Sequence, residues 1–309
     1  MDFNLDSLVD QVLDTYQPDP KYAEKPTVPG LVGHMDGDLL AYFAGTAPSA
    51  GAVRMAINSR VARLKKVSGC ESVVIHVTCG GSHKGERYLL AESKPYQGNR
   101  KKAQKPANWQ FARDYITDHK ADLFKVKTWT TREADDGMAF ITNYHAERGT
   151  LLPIMAKDKD MRVFPGHHFD WDSWDCTTVN LGDYEVWGSN GLLYGSKFFW
   201  YQMIAGDDAD HIPGLPRCGP KAADDALEGT TCNADAYVAV ATLYARRLGE
   251  GWERYLCEQA SLLWMRQDRH ADPLDFLRLG VFPLNVQEAA WHMADRVRLQ
   301  REHLENLRK

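Results

Sequence analysis

Nothing in this 309-residue sequence approaches the ~20 consecutive apolar residues that a membrane span needs. The N-terminal stretch MDFNLDSLVDQVLDTY has no basic region followed by an apolar one. No secretory signal is therefore expected, and the cytoplasm is the expected location. Cysteine is sparse. Cys70, Cys79, Cys176, Cys218, Cys232 and Cys257 are scattered with no C-x-x-C pair. That argues against zinc or a disulfide framework and for reduced, mostly buried thiols. No internal repeat or low-complexity tract is evident. Positive charge is also short: 37 Lys and Arg stand against 42 Asp and Glu, a net charge of −5. This is the wrong sign for a protein that coats nucleic acid. It leaves room for a nucleic-acid enzyme with its positive charge in one groove and metal ions on its carboxylates.

What is present is a globular composition, 44% hydrophobic and 26% charged, with chain enough for a substantial core. Residues 4–16 have helical apolar spacing, and 17–30 (QPDPKYAEKPTVPG) read as a linker. Strands are expected at 31–36, 71–78, 124–129 and 151–156, with helices at 50–67, at 107–120 and from READD onward. Strands alternating with helices predict an α/β domain with a mainly parallel sheet. After a short β-like stretch at 177–187 the chain turns helical to its end, which places a domain boundary near 190. Between Ser93 and Arg113 lie six basic residues (Lys94, Arg100, Lys101, Lys102, Lys105, Arg113) and no acidic one. In an acidic chain that segregation marks a basic segment with a purpose.

Eight acidic residues fall in four groups. Asp36 ends the first strand. Glu133, Asp135 and Asp136 open a helix, Asp158 and Asp160 follow a strand, and Asp207 and Asp210 lie in the loop GDDAD. Ligands of parallel α/β sheets bind beyond the carboxyl ends of the strands, where Asp36 and Asp158 would emerge. So many carboxylates at one place repel each other unless cations are bound. An all-oxygen ligand set suits Mg²⁺ or Mn²⁺. Two such ions would activate water for phosphodiester hydrolysis. Each group alone is an ordinary helix cap or solvated loop. A second signal is GDDADHIPGLPRCGPKAADDAL, residues 206–227, a glycine-rich turn between helices. Gly219, Pro220 and Lys221 open the second helix as a phosphate-binding N-terminus.

The segments DGDLLAYFAG, YQGNRKKAQKP, READD, KDKD and GDDADHIPGLPRCGPKAA stand in the order and spacing of the 5′-3′ exonuclease/flap endonuclease superfamily. Over roughly residues 31–227 the chain resembles that superfamily, most of all the stand-alone 5′-3′ exonucleases of short-tailed bacteriophages. The resemblance implies a PIN-like nuclease core over 31–190, with a basic arch over about 84–115. It also implies a helix-three-turn-helix and C-terminal helical domain over 191–309, preceded by an N-terminal helix and linker over 1–30. It implies that Asp36, Glu133, Asp135, Asp136, Asp158, Asp160, Asp207 and Asp210 hold two Mg²⁺ or Mn²⁺ ions. Arg100 would contact the scissile phosphate, and Tyr96 would stack on an unpaired base. Lys94, Lys101, Lys102 and Lys105 would hold DNA, as would Gly214, Gly219 and Lys221 at the turn, where a monovalent cation can also sit.

Three departures from the pattern are visible: Gln97 where a lysine is usual, CGGSH after the strand ending at Thr78, and Arg217 at a glycine position. Pro95 reads as the start of an arch helix that places Lys101 on the face of Gln97, so Lys101 is expected to supply part of the missing charge. The activity implied is a metal-dependent 5′-3′ exonuclease on duplex DNA with 5′ ends, nicks or flaps, extending to RNA primers, in a monomeric protein of phage replication. Alternatives are a structure-specific flap endonuclease with little exonuclease activity and a non-catalytic DNA-junction binder.

Overall fold

The computed structural model describes residues 22–102, 104–118 and 123–307, with the backbone alone of Lys101 and Lys102. The helix expected over 4–16 lies outside them. Strand β1, Val28–Asp36, leads into helix α1, Gly37–Gly45, and then α2, Ala50–Ser68. Strand β2, Cys70–Thr78, is followed by the short helix α3, Arg87–Leu90, a 3₁₀ turn at Gly98–Lys102 and helix α4, Trp109–Thr117. Next come β3, Lys125–Trp129, helix α5, Ala134–Ala146, and β4, Pro153–Met155. A 3₁₀ turn at Lys159–Val163 precedes β5, Gly166–Phe169, and β6, Cys176–Val179. A two-stranded hairpin, β7 at Val186–Trp187 and β8 at Leu193–Tyr194, precedes the helical part. That part contains α6, Ser196–Ala205, α7, Pro220–Leu227, α8, Asn233–Leu248, α9, Trp252–Leu263, and α10, Leu284–Leu307.

The six-stranded sheet has the order β3-β2-β1-β4-β5-β6, and every neighbouring pair is parallel except β5 with β6. Strand β2 is rich in β-branched residues, which suit a pleated, buried surface. Its Val73, Ile75 and Val77 alternate onto a core shared with Val53, Ile57, Val61 and Leu64, one side of α2. Ser49 caps α2 at the start, and Gly69, with φ 74°, ends it in the left-handed conformation. A second core covers Met138, Ile154, Met161 and Phe164 together with Phe199, Trp200, Tyr244 and Leu256. It runs across residue 190 without a break, so the C-terminal helices pack onto the α/β part rather than around a core of their own.

Two details place the carboxyl ends of β1 and β2. A Cβ on Gly37 would meet the His76 carbonyl at 2.6 Å, so only glycine lets α1 start this close to β2. Beside it His34 Nδ1 and His76 Nε2 are 2.8 Å apart, and the Trp129 indole N–H donates to His76 Nδ1 at 3.0 Å. The indole is a donor only, so His76 carries its proton on Nε2 and passes it to His34. Both imidazoles are neutral.

Two expectations change. The thiols are free, as expected, but only Cys70 and Cys257 are buried, while Cys176 and Cys232 are exposed. No helix starts at Pro95. Gln97 has φ 53°, and its N–H donates to the Asp210 carbonyl at 2.9 Å. A tertiary bond has taken the place of the helical one. Among the described residues no helix is long and apolar enough to cross a membrane.

Burial holds the His34 imidazole down at about 3, with His145 adding to the effect, and the His168 imidazole at about 4. The folded-state values lie below the ordinary 6.5, so the unfolded chain binds more protons between them. The stability these groups contribute is complete above 6.5 and is lost as pH falls. The imidazole C–H proton signals of His34 and His168 should therefore stay constant from pH 7 to 5 in an NMR titration. Midpoints near the ordinary value would contradict buried, neutral rings.

Candidate active site

The carboxylates do gather at the carboxyl edge of the sheet. Asp36 ends β1 and caps α1, with Oδ1 accepting from the N–H groups of Asp38 at 2.9 Å and Leu39 at 3.1 Å. Glu133 caps α5 just beyond β3. Asp158 follows β4, and its Oδ1 accepts from the Asp160 N–H at 3.0 Å. Asp207 and Asp210 come from the turn after α6, closed by the bridge between Asp207 and Ile212. One cleft is lined by Asp36, Asp38, Glu133, Asp135, Asp158 and Asp210, with Thr78, Gln97 and Arg100 among them.

Crowding and burial shift these acids. Burial pushes the Asp36 carboxyl up to about 7, and the charges of Asp38 and Asp158 add to the rise. Burial, then Glu133, pushes Asp135 well above the carboxylate range. Asp160 rises likewise through burial and then Asp158. Asp158 and Glu133 are raised as well, burial being the largest cause in each. A cluster of acids that hold protons this tightly is a site built for cations.

Two groups offer ligand oxygens that all lie within 4.8 Å of one another: Glu133, Asp135 and Asp136, and Asp160, Asp207 and Asp210. In the second group Asp207 Oδ2 is buried and has no hydrogen-bond partner among the described residues. Lys159 sits beside it, with Nζ 2.5 Å from Asp207 Oδ1 and 3.8 Å from Asp160 Oδ1. An orphaned, buried carboxylate oxygen within an all-oxygen set fits a hard divalent cation.

Asp136 behaves differently. Burial alone would raise its acid, but the Arg87 guanidinium holds it below the ordinary value. Arg87 donates to both Asp136 oxygens, at 2.6 and 2.9 Å, and both side chains are fully buried. The Arg266 N–H adds a third bond, at 2.9 Å. Asp136 is thus already saturated, and the structure gives it a part in holding the head of α5 rather than facing the cleft. Arg87 also donates to the carbonyls of Leu262 and Trp264, both at 3.0 Å. No sequence signal marks Arg87, since its partners lie far along the chain.

The basic segment folds onto the acids. Arg100, half exposed, donates to Asp210 and to the Ala209 carbonyl. Tyr96 is only 4% exposed, and its hydroxyl lies 2.7 Å from Glu133 Oε2 and 3.0 Å from Asp210 Oδ2. In this arrangement it cannot stack on a base, which corrects that expectation. Its single phenolic proton is shared between these two acids. Lys84 was also missed. It reaches Gln97 and Glu133, and although burial opposes its charge, Glu133 holds its ammonium above the ordinary value. Lys94 and Lys105 are exposed, Lys105 lying 3.4 Å over the Trp109 ring. The side chains of Lys101 and Lys102 lie outside the described residues.

At the interhelical turn Lys221 is exposed and pairs with Asp225 at 2.8 Å, and Gly219 opens α7 with Pro220 behind it. Gly214 is not on that surface. Its N–H donates to Gln259, its carbonyl accepts from Tyr255, and a Cβ would meet the Gly206 nitrogen at 2.3 Å. With φ 61° as well, it is a packing glycine, and its amide is spent inside the protein.

No protein-family model matches the chain. Among curated proteins it is 28% identical to flap endonuclease Xni of Shewanella amazonensis over 115 residues, 37% of this chain and 45% of that protein. It is 33% identical to DNA polymerase I of Rhizobium leguminosarum over 99 residues, 31% of this chain and 9% of the polymerase. The chain thus spans less than half the length of these two curated relatives. Among solved structures, the 5′-exonuclease of bacteriophage T5 with bound zinc ions superposes with a TM-score of 0.55 at 16% identity, covering 86% of this chain and 99% of that one. The bacteriophage T5 flap endonuclease in a pseudo-enzyme–product complex with DNA and metal ions gives 0.53 at 14%, covering 86% and 99%. The chain shares its fold with this bacteriophage T5 nuclease. At the interhelical turn Arg217 stands out by its backbone. It takes φ 61°, a left-handed conformation that glycine adopts freely and arginine does not.

The Arg87–Asp136 pair makes a stability test. Arg87→Met leaves a buried carboxylate unpaired and should cost about 3–5 kcal/mol in urea unfolding. Adding Asp136→Asn should recover part of that loss. A double variant no more stable than the single one would show that the ion pair is not what holds the head of α5.

Proposed function

We propose that the chain is a divalent-metal-dependent 5′ nuclease that hydrolyses phosphodiester bonds of duplex DNA from 5′ ends, nicks or flaps. The observation that carries this reading is the single cleft where carboxylates from four chain segments meet a half-exposed arginine. Asp36, Glu133, Asp135 and Asp158 would hold one ion, and Asp160, Asp207 and Asp210 the other, as Mg²⁺ or Mn²⁺. Such ions activate water and stabilise the attacking and leaving oxygens of a phosphodiester.

The chain's own residues do the rest. Arg100 stands at the cleft and aims a guanidinium at the scissile phosphate, where negative charge builds during hydrolysis. Lys94 and Lys105, with Lys101 and Lys102, give the segment over about 84–115 its positive charge for the DNA backbone. The open N-terminus of α7 at Gly219, with Lys221 beside it, holds a second stretch of backbone by position and not by base sequence. A monovalent cation at this interhelical turn would belong to the same reading. RNA primers paired to DNA belong to the same substrate class. We read the protein as a monomer with a nuclease core over 31–190 and helices over 191–309, acting in the cytoplasm of a phage-infected cell.

Three labelled substrates test the reading: a 5′ flap, a nicked duplex and a blunt duplex, each with Mg²⁺ and with EDTA. Mononucleotides from all three mark an exonuclease, and a released flap alone marks an endonuclease. Binding with no cleavage under any divalent ion would leave a junction binder. Asp158→Asn should abolish cleavage yet keep DNA affinity or tighten it, because a cation ligand and a phosphate-repelling charge go together. Normal turnover by that variant would overturn the assignment. Lys221→Ala should weaken binding alike for all sequences and lower the salt slope by ~0.9, one phosphate contact. Loss that depended on base sequence would contradict a backbone contact.

A further inference from the structure

Lys84 lies just behind the wall of the cleft. Its Nζ donates to Gln97 Oε1 at 2.6 Å and is 3.3 Å from Glu133 Oε1. The contact decides which way the Gln97 amide faces. Its oxygen meets the ammonium, and its NH₂ group turns to the cleft, toward Glu133 Oε1 at 3.2 Å and Asp210 Oδ1 at 3.1 Å. Gln97 lines the cleft, while Lys84 stands one side chain back. An amide whose oxygen accepts from a cation is polarised, and its N–H groups become stronger donors in a low-dielectric site.

The backbone at both residues is unusual. Lys84 has φ 50° and Gln97 φ 53°, and Glu86 follows at 64°. This left-handed region is disfavoured for any residue with a Cβ. Such strain persists where the surroundings enforce it, and it clusters at active sites. Here it sits at both ends of one hydrogen bond.

We infer that Lys84 and Gln97 act as one composite cation: Lys84 supplies the charge, and Gln97 presents it to the reacting phosphate as a polarised donor. This rests on the nuclease reading above. Arg100 is one positive group of the cleft, and the Lys84–Gln97 pair is the second. Once the carboxylate oxygens are engaged elsewhere, the Gln97 N–H not held by the Tyr96 hydroxyl at 3.2 Å is free to meet a non-bridging phosphate oxygen, where charge gathers in phosphoryl transfer. Lys84 does not itself touch the substrate and is a positioning residue.

The test compares the wild type with Lys84→Gln, Lys84→Arg and the double variant Lys84→Gln/Gln97→Lys. Lys84→Gln keeps a donor for Gln97 but loses the charge. The readouts are the single-turnover rate on a 5′-labelled duplex at saturating enzyme with Mg²⁺, and DNA affinity in EDTA. Lys84→Gln should slow cleavage ~10-fold or more with little change in affinity. Lys84→Arg should stay within about threefold of the wild type, because it keeps the charge. The double variant should recover most of the rate, since a lysine at 97 brings its own ammonium into the cleft. A wild-type rate in Lys84→Gln would overturn the proposal. So would equal slowing of Lys84→Gln and Lys84→Arg with no gain in the double variant, the mark of a merely structural lysine. If the wild type itself cuts nothing with Mg²⁺ or Mn²⁺, the nuclease reading fails and the proposal with it.

Discussion

One guanidinium ties together parts of the chain that are far apart in sequence. Arg87 binds Asp136 at the head of α5 and the carbonyls at the end of α9, with every donor buried. Asp136 in turn accepts from the N–H of Glu133, completing the cap of α5. Thus the C-terminal helices, the basic segment and the carboxylate group at the head of α5 are fixed by a single knot. A buried pair of this kind adds little net stability compared with apolar packing, but it cannot be half-broken without a large penalty. Its value here is placement: Glu133 and Asp135 face the cleft because their neighbour is held elsewhere.

Around that knot the protein manages a concentration of negative charge that folding alone would not tolerate. Burial raises the acids, and the protein sets cations of its own among them. Lys84 approaches Glu133, Lys159 approaches Asp207, and Arg100 approaches Asp210. Each of these amines or guanidinia stands where a divalent ion or a phosphate would change the balance.

Much of this was legible in the sequence. The parallel sheet followed from strand and helix alternation, and the gathering of the carboxylates followed from their places at strand ends, at a helix start and in the loop after α6. The pairing of Asp136 with Arg87 was not legible, since sequence cannot tell an acid facing solvent from one facing a distant arginine. Lys84 and Arg87 were invisible for the same reason: their partners come from β3–α5 and α9. The helix expected at Pro95 failed because local propensity lost to a tertiary hydrogen bond at Gln97. Gly214 looked like a DNA contact only until its amide was traced to Gln259.

Asp36 and Asp158 each use one oxygen to cap the turn that follows, and so does Glu133 through the capping box of α5. Candidate ligand and cap are the same side chain. The aim of each carboxylate is thereby set by the backbone beneath it and does not wait for an ion to arrive. A site prepared in this way should change shape little on loading. Its alanine variants would also confuse two effects, a lost ligand and a frayed helix start, which asparagine, itself a good cap, keeps apart at the aspartates.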